Sequence, residues 1–553
     1  METEAPASSS QEARPVPQEA QPMEESRPVR LAEELIDPST PQVTKERRIG
    51  SKAGSPGYTL GGKAINVVQT FMIAMMHVSV AAVQGVYYGH RSGMPLDARL
   101  VEIGRAKERA LMEELGVFKR VPRSEARGKK VRAQWLDDER TDESGQPAVR
   151  SRLVAMEVAW ESRSDCFVGT PCLACVRLVL AFASLWTDRA LAKMIAIHDI
   201  SVAFFHALLD GDIWVDPPAS EGEPKEVVWQ LLRALNGTRR AAFLFQRYLI
   251  DSLVFMGFTR VKVAAQFFAH EKGMVIAVHG DDIMAAGTPS SLDWLDEGLK
   301  QFFMLKVVAR VGPDWLGGVP ECRFTKRWAT WTGSGYQWEA DNKHVDSVIG
   351  YDGHADRQAP ARQIAPGSNH VGKSNRNSAD LLDENARAEY ISMAPTAHYL
   401  AADRPDIMYT TGVSMGKLSE PTELQRLQLQ RLGSYMRLVP RIVWDYPCST
   451  DFSKEIYCEV DSDWAQDPDT RRSVGGGFAW WGPYLLDAWC GQHHSVSLSS
   501  AEAELHEVVN GASHGLFLSN VLAECGYETT VRIGSDSSVA AGISTRLGAG
   551  RVR

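Results

Sequence analysis

The stretch "VIAVHGDDIMAAG" at 275–287 sets Asp281 and Asp282 side by side between two apolar runs. Adjacent carboxylates repel, and desolvating either one adds to the cost. Upstream, "KMIAIHDISVAFF" (193–205) reads as an apolar strand that ends in a carboxylate, Asp199. If that strand lies beside the 275–287 hairpin, three carboxylates converge at one sheet edge. A divalent cation turns such a cluster from a liability into a site. Hard oxygen ligands on a rigid sheet hold Mg²⁺ with positions left open for phosphate oxygens. Two such ions clamp the attacking and leaving oxygens of a phosphoryl transfer. Alone, Asp281–Asp282 reads first as a solvated β-turn, where Asp is common. Its order and spacing with Asp199, Ala203 and Phe204 favour the metal site.

A second acidic set follows the same logic. Asp461 closes a strand in "CEVDSDW", Glu504 sits in the helical "AEAELHEV", and Asp536 follows a strand in "RIGSDSSV". Three carboxylates from three elements suit metal-assisted phosphodiester hydrolysis. Asp463 and Glu502 are secondary candidates. Residues two apart on a helix face different ways, so only one of Glu502 and Glu504 points into the site. Ser499 with Glu502 also fits a capping box.

The elements that must position these residues can be read from pattern. Residues 96–116 read as a charged helix with Leu100, Ile103, Ala106, Leu111 and Leu115 near one face. A basic run follows: Lys119, Arg120, Arg123, Arg127, Lys129, Lys130 and Arg132. It is either a solvated face or a phosphate-facing surface. Residues 231–258 turn at Gly237 into an amphipathic helix. Residues 386–440 read as helices interrupted near "DRPDI". From Ile456 the order is β-β-β-α-β-α, which marks a mixed-sheet domain.

The 553 residues allow roughly three or four domains of ~100–200 residues. A 44% apolar content allows sizeable cores, and a net charge of −9 argues against general coating of nucleic acid. It leaves room for a nucleic-acid enzyme with a local basic surface. Eight scattered cysteines read as reduced thiols in an intracellular, cytoplasmic or nuclear protein that is not secreted. Cys172 and Cys175 form one CxxC, read as buried thiols before zinc. Residues 1–58 are Pro/Glu/Ser-rich and read as disordered. Ala64–Gly89 carries no Asp, Glu, Lys or Arg and is long enough to span a bilayer, but Asn66, Gln69, His77, Ser79 and Gln84 interrupt it. A membrane partner is therefore disfavoured.

These segments resemble the reverse transcriptase and ribonuclease H region of copia-type LTR retrotransposon Pol polyproteins. Asp199, Ala203 and Phe204 match the family's Asp-x-x-x-Ala-aromatic strand. "HGDD" stands where the family has Tyr-x-Asp-Asp. "VRSRLVAMEVAW" is similar to the strand ending "ARLVAKGF", "LLRALNGTRRAAFLFQRYL" to "ALYGLKQAPRxWY", and "EYISMAPTAHYLAADRPDIMYTT" to the connection. "VDSDWAQDPDTRRSVGGGFAWWG" and "SLSSAEAELHEVV" resemble the family's "SDADWAGDPDTRRSTSGY" and "ALSSTEAEYIA". The likeness runs from about Leu96 to Arg553. Protease, zinc-array and integrase motifs are not seen, so this is similar to the polymerase–ribonuclease H part of a larger polyprotein.

The resemblance implies an α+β multidomain chain, with right-hand fingers and palm followed by a truncated ribonuclease H-like mixed α/β domain. It divides as a tail 1–58, an apolar segment 59–95, fingers and palm 96–310, thumb and connection 311–450, and a ribonuclease H-like domain 451–553. It implies RNA-directed DNA synthesis on an RNA template with a DNA primer and deoxynucleoside triphosphates, and cleavage of RNA/DNA hybrid. Two Mg²⁺ per site, or Mn²⁺, would be held by Asp199, Asp281 and Asp282 and by Asp461, Glu504 and Asp536. Phe204 would gate the sugar. Arg150, Arg152, Arg240, Lys129 and Lys130 would face nucleotide or template. Departures are His279 for the usual tyrosine, Gly280 after it, Arg240 for a glutamine and Asn236 for a tyrosine. A fourth carboxylate has no counterpart before Arg553, so ribonuclease H activity is expected to be weak or lost. The alternatives are an inactive relic that binds nucleic acid or a partner, and a membrane-tethered protein using 64–89.

Overall fold

The computed structural model describes residues 58–60, 63–65, 86–128, 130–142, 144–158, 164–351, 365–366, 380–467 and 470–546. The expected disordered tail, most of the apolar segment 64–89, most of the polar stretch 351–380 and Lys129 lie outside these residues. Among the described residues, no helix is long and apolar enough to cross a membrane.

Helix Ala98–Glu114 starts at Asp97, whose carboxylate accepts from the Arg99 and Leu100 amides. Its buried stripe is Val101, Gly104, Arg105, Glu108 and Met112, one position on from the apolar face expected. Charge pairing and close approach decide the rotation. Arg105 Nη2 donates to Asp137 at 2.6 Å, and a Cβ at Gly104 would stand 2.6 Å from the Val149 carbonyl oxygen. The sheet beneath has the order Phe118–Pro122, Val227–Leu231, Trp214–Asp216, Lys130–Thr141, Pro147–Ala155. Met112, Val117, Leu153, Val215 and Trp229 fill the space between.

The second sheet is six-stranded and antiparallel. Its order is Thr259–Arg260, Phe267–His270, Met274–His279, Asp282–Gly287, Met194–Ile200, Leu305–Val311. Its apolar strands are buried on both faces. Helix Leu173–Ser184 covers one side, and helices Ala241–Phe255 and Pro289–Phe302 cover the other. The last helix is pinned by a buried polar set: Asp296 contacts His198 at 2.7 Å and Arg310 at 2.9 Å. Strand Met194–Ile200 ends one residue past Asp199, as the sequence suggests. Val202 takes a left-handed conformation (φ 48°, ψ 43°), and the chain turns into a short 3-10 helix, Ala203–His206. A β-branched residue there carries strain of ~1–2 kcal/mol.

A four-stranded antiparallel sheet, Glu321–Phe324, Arg327–Trp331, Gly335–Ala340 and Trp444–Pro447, comes next. Four helices interrupt its strand order: Asn342–Gly350, Glu384–Ala401, Met408–Met415 and Glu423–Leu438. The break between the second and third falls at Asp403 and Arg404, within the "DRPDI" read as an interruption. The C-terminal sheet has the order Tyr484–Gln492, Val474–Trp481, Glu455–Ser462, Thr530–Gly534, and only the last pairing is parallel. Helix Ser500–Glu524 packs over it, and Ser538–Thr545 follows. This is the β-β-β-α-β-α order expected from Ile456 onward.

Candidate active sites

Met274–His279 and Asp282–Gly287 form a hairpin in which His279 pairs with Asp282, leaving Gly280 and Asp281 as a two-residue turn. Gly280 has φ +68°, the left-handed value that glycine adopts without penalty at the first position of such a tight turn. Asp282 is the cross-strand partner of Asp199, and the Ile200 amide donates to the Asp281 carbonyl at 3.0 Å. Register thus sets Asp199 and Asp282 side by side, while among the described residues only Asp461, Glu504 and Asp536 bring three ligand oxygens within 4.8 Å of one another. Asp199 and Asp282 are half-buried, and Asp281 and His279 are exposed.

The electrostatics record the crowding. Burial, then Asp281 and Asp199, push the Asp282 carboxyl up to about 6. Burial and Asp281 raise Asp199, opposed by Arg150, Lys306 and Arg140. Lys306 is the cross-strand neighbour of Asp199 on its other side. Arg150 has its own guanidinium lowered by burial and by Arg152 and Arg140. A cluster of like negative charge thus faces a cluster of like positive charge. The first suits a divalent cation, the second an anion such as a polyphosphate. Arg140 and Lys306 were not among the residues singled out from sequence. Their place depends on sheet order, which local pattern does not give.

Other predicted residues sit as follows. Phe204 is half-buried on the 3-10 turn, edge-on to Phe245 at 6.2 Å. Arg152 is half-buried and lies close enough to Glu108 to oppose the rise of that carboxyl, which burial drives to about 7. Lys130 is exposed at the start of its strand. Arg240 is engaged by carboxylates, with Nη1 2.5 Å from Asp210 and Nε 3.3 Å from Asp165.

In the C-terminal sheet the second acidic set assembles closely. Asp461, Glu504 and Asp536 each offer a carboxylate oxygen within 4.8 Å of the others. Asp461 and Asp536 are exposed. Glu504 is buried and its Oε2 has no hydrogen-bond partner. Burial, then Asp461, raise its carboxyl. An orphaned buried oxygen aimed into an acidic cluster fits a bound cation. The secondary candidates each accept a backbone hydrogen bond. Asp463 accepts from the Val474 amide at 2.8 Å. Glu502 accepts from the Leu498 amide at 2.7 Å while Ser499 Oγ accepts from the Glu502 amide. The cap forms as expected, with its reciprocal bond one residue earlier.

Residues 118–318 match the family model described as reverse transcriptase (RNA-dependent DNA polymerase). That stretch is similar to a reverse transcriptase domain. The matched range contains Asp199, Asp281 and Asp282 and the whole six-stranded sheet. The chain is also 23% identical over 362 residues to the retrovirus-related Pol polyprotein from transposon RE2 of Arabidopsis thaliana. The aligned stretch is 64% of this chain and 23% of that protein, so the chain spans about a quarter of the relative it matches. The two findings agree with the copia-type Pol resemblance read from the sequence.

Proposed function

We propose that this chain is an RNA-directed DNA polymerase of a copia-type retrotransposon, with a ribonuclease H-like site in its C-terminal sheet. The observation that carries the polymerase reading is the cross-strand pairing of Asp199 with Asp282 beside Asp281. In this reading the five-stranded sheet is the fingers, the six-stranded sheet the palm and residues 311–450 the connection. Asp199, Asp281 and Asp282 would hold two Mg²⁺, which supply charge neutralisation and activation of the primer 3′-hydroxyl. The protein's own part is positional. The palm strands fix the carboxylates, and Arg150, Arg140 and Lys306 steer the triphosphate. Phe204, on the strained turn after Asp199, would lie under the sugar and exclude a 2′-hydroxyl. The basic fingers face would hold the template by charge and shape rather than by base readout.

Asp461, Glu504 and Asp536 would hold the cations that cut the RNA strand of a hybrid. The test has two arms on the purified chain. RNA-templated extension of a DNA primer is expected with Mg²⁺, and to be lost in Asp199→Asn. Hybrid cleavage is expected to be weak in the wild type and absent in Glu504→Gln while extension persists. A chain that binds hybrid but does neither reaction is an inactive binding relic.

A further inference from the structure

The Cys172–Cys175 pair takes no part in either acidic site. Cys172 is the N-cap of helix Leu173–Ser184, with extended backbone (φ −69°, ψ 157°) and an exposed side chain. Cys175, in the first turn, is wholly buried. Both are free thiols, and their sulfurs lie in hydrogen-bonding contact at 3.3 Å. Among the described residues, no group of three metal-binding side chains includes either sulfur. What remains is a dithiol in van der Waals contact, one sulfur reachable from solvent and the other only through the first.

We propose that Cys172 and Cys175 form a redox-active dithiol that exchanges with small-molecule disulfides of the glutathione type. Cys172 is the attacking thiolate and Cys175 the resolving thiol. The Cys172 sulfur bonds to one sulfur of the incoming disulfide and breaks its S–S bond. The first small thiolate leaves and takes up the proton that Cys172 gave up. Cys175 then loses its proton and attacks the Cys172 sulfur of the mixed disulfide, and the second small thiolate leaves and is protonated. Two protein thiols become one disulfide, and one small disulfide becomes two thiols.

The assignment of roles follows from placement. An external disulfide reaches Cys172 but not Cys175. The Cys175 thiol, with the Cys175 and Ala174 amides, favours the thiolate at Cys172, against burial and Asp487. A thiol at a helix N-terminus is activated in this way generally. Cys175, whose thiol is pushed up by its bond to Cys172 and by burial, stays protonated until the mixed disulfide removes that bond. The new disulfide would close the first turn of the helix that lies between the palm sheet and the C-terminal sheet.

The test uses the reduced full chain. It is exposed to oxidised glutathione, alkylated, and mapped by non-reducing peptide mass spectrometry. Cys172 and Cys175 are expected to lose alkylation together and appear as one linked peptide, ahead of the half-buried Cys322. Cys175→Ser is expected to accumulate glutathione on Cys172, and Cys172→Ser to leave Cys175 unmodified. Wild-type protein in which both thiols stay as alkylatable as Cys322 would overturn the proposal. So would a folded Cys175→Ser with no adduct. Neither readout depends on polymerase activity, so this proposal and the functional reading stand or fall separately.

Discussion

Asp282 is half-buried, carries two like charges as neighbours, and would be more comfortable as an amide. Its carboxyl, raised to about 6, makes ionisation harder in the folded chain than in the unfolded one. The resulting destabilisation is absent below the ordinary carboxylate value, grows as pH rises through about 6, and is complete above it. Asp282→Asn is therefore expected to stabilise the metal-free protein near neutral pH. Solvent screening of a partly exposed group limits the gain to below ~1 kcal/mol. Thermal melts in EDTA at pH about 5 and about 7.5 check it, since the variant's advantage should widen with pH. An equal difference at both values would contradict the crowding argument. A residue that costs stability when ionised, yet sits on a paired strand opposite another carboxylate, is the mark of a site shaped for a ligand.

Two turns rest on glycine for different reasons, one inside the six-stranded sheet and one against the five-stranded sheet. Gly280 has open space around its Cα, so Gly280→Ala should cost about 1 kcal/mol from its positive φ alone. Gly237 has φ +81° and lies against strand Pro147–Ala155, where a Cβ would stand 2.0 Å from the Ala155 carbonyl oxygen. Beside it the Ala155 amide donates to the Asn236 carbonyl at 2.7 Å. Gly237→Ala should therefore cost at least twice as much, on the order of 2–4 kcal/mol in denaturant unfolding. Equal losses at the two positions would contradict the packing described.

These elements also show what the sequence could reveal. The "HGDD" hairpin and the β-β-β-α-β-α order were legible because alternation, turn residues and helix caps are local signals. The turn at Gly237 was legible for the same reason. The buried face of Ala98–Glu114 was missed because Arg105 and Glu108 are held by partners distant in sequence. The end of the strand at Asp199 was legible, but the left-handed turn after it was not, because Val202 adopts a conformation that its residue type disfavours. Strand Trp444–Pro447, which pairs with Gly335–Ala340, was not readable at all, since roughly a hundred residues separate them.

Across the molecule, the six-stranded sheet, the four-stranded sheet that starts at Glu321 and the C-terminal sheet share one continuous apolar core around helix Leu173–Ser184. At its centre Asp403 is almost fully buried and accepts from Arg177 at 3.0 Å, Arg327 at 2.5 Å and Trp338 at 3.0 Å. Arg177 also stacks on Trp444 at 3.6 Å and donates to the Leu486 carbonyl at 3.3 Å. One carboxylate thus balances two buried cations from different parts of the chain. Asp403→Ala leaves both unpaired and should cost ~3–5 kcal/mol, read as a shifted denaturation midpoint. A loss under ~1 kcal/mol would mean the cluster is not the joint it is taken to be. Asp403 lies in the "DRPDI" stretch, whose acid and base were visible in the sequence while their partners were not.

The central claim is that Asp199, Asp281 and Asp282 form one polymerase site. It is tested most directly by extension of a DNA primer on an RNA template with Mg²⁺, comparing the wild-type chain with the Asp281→Asn/Asp282→Asn variant. The expected result is template-dependent incorporation by the wild type and background incorporation by a variant that melts no lower. Equal incorporation by the two, or none by a folded wild-type chain that binds the primer–template, would contradict it.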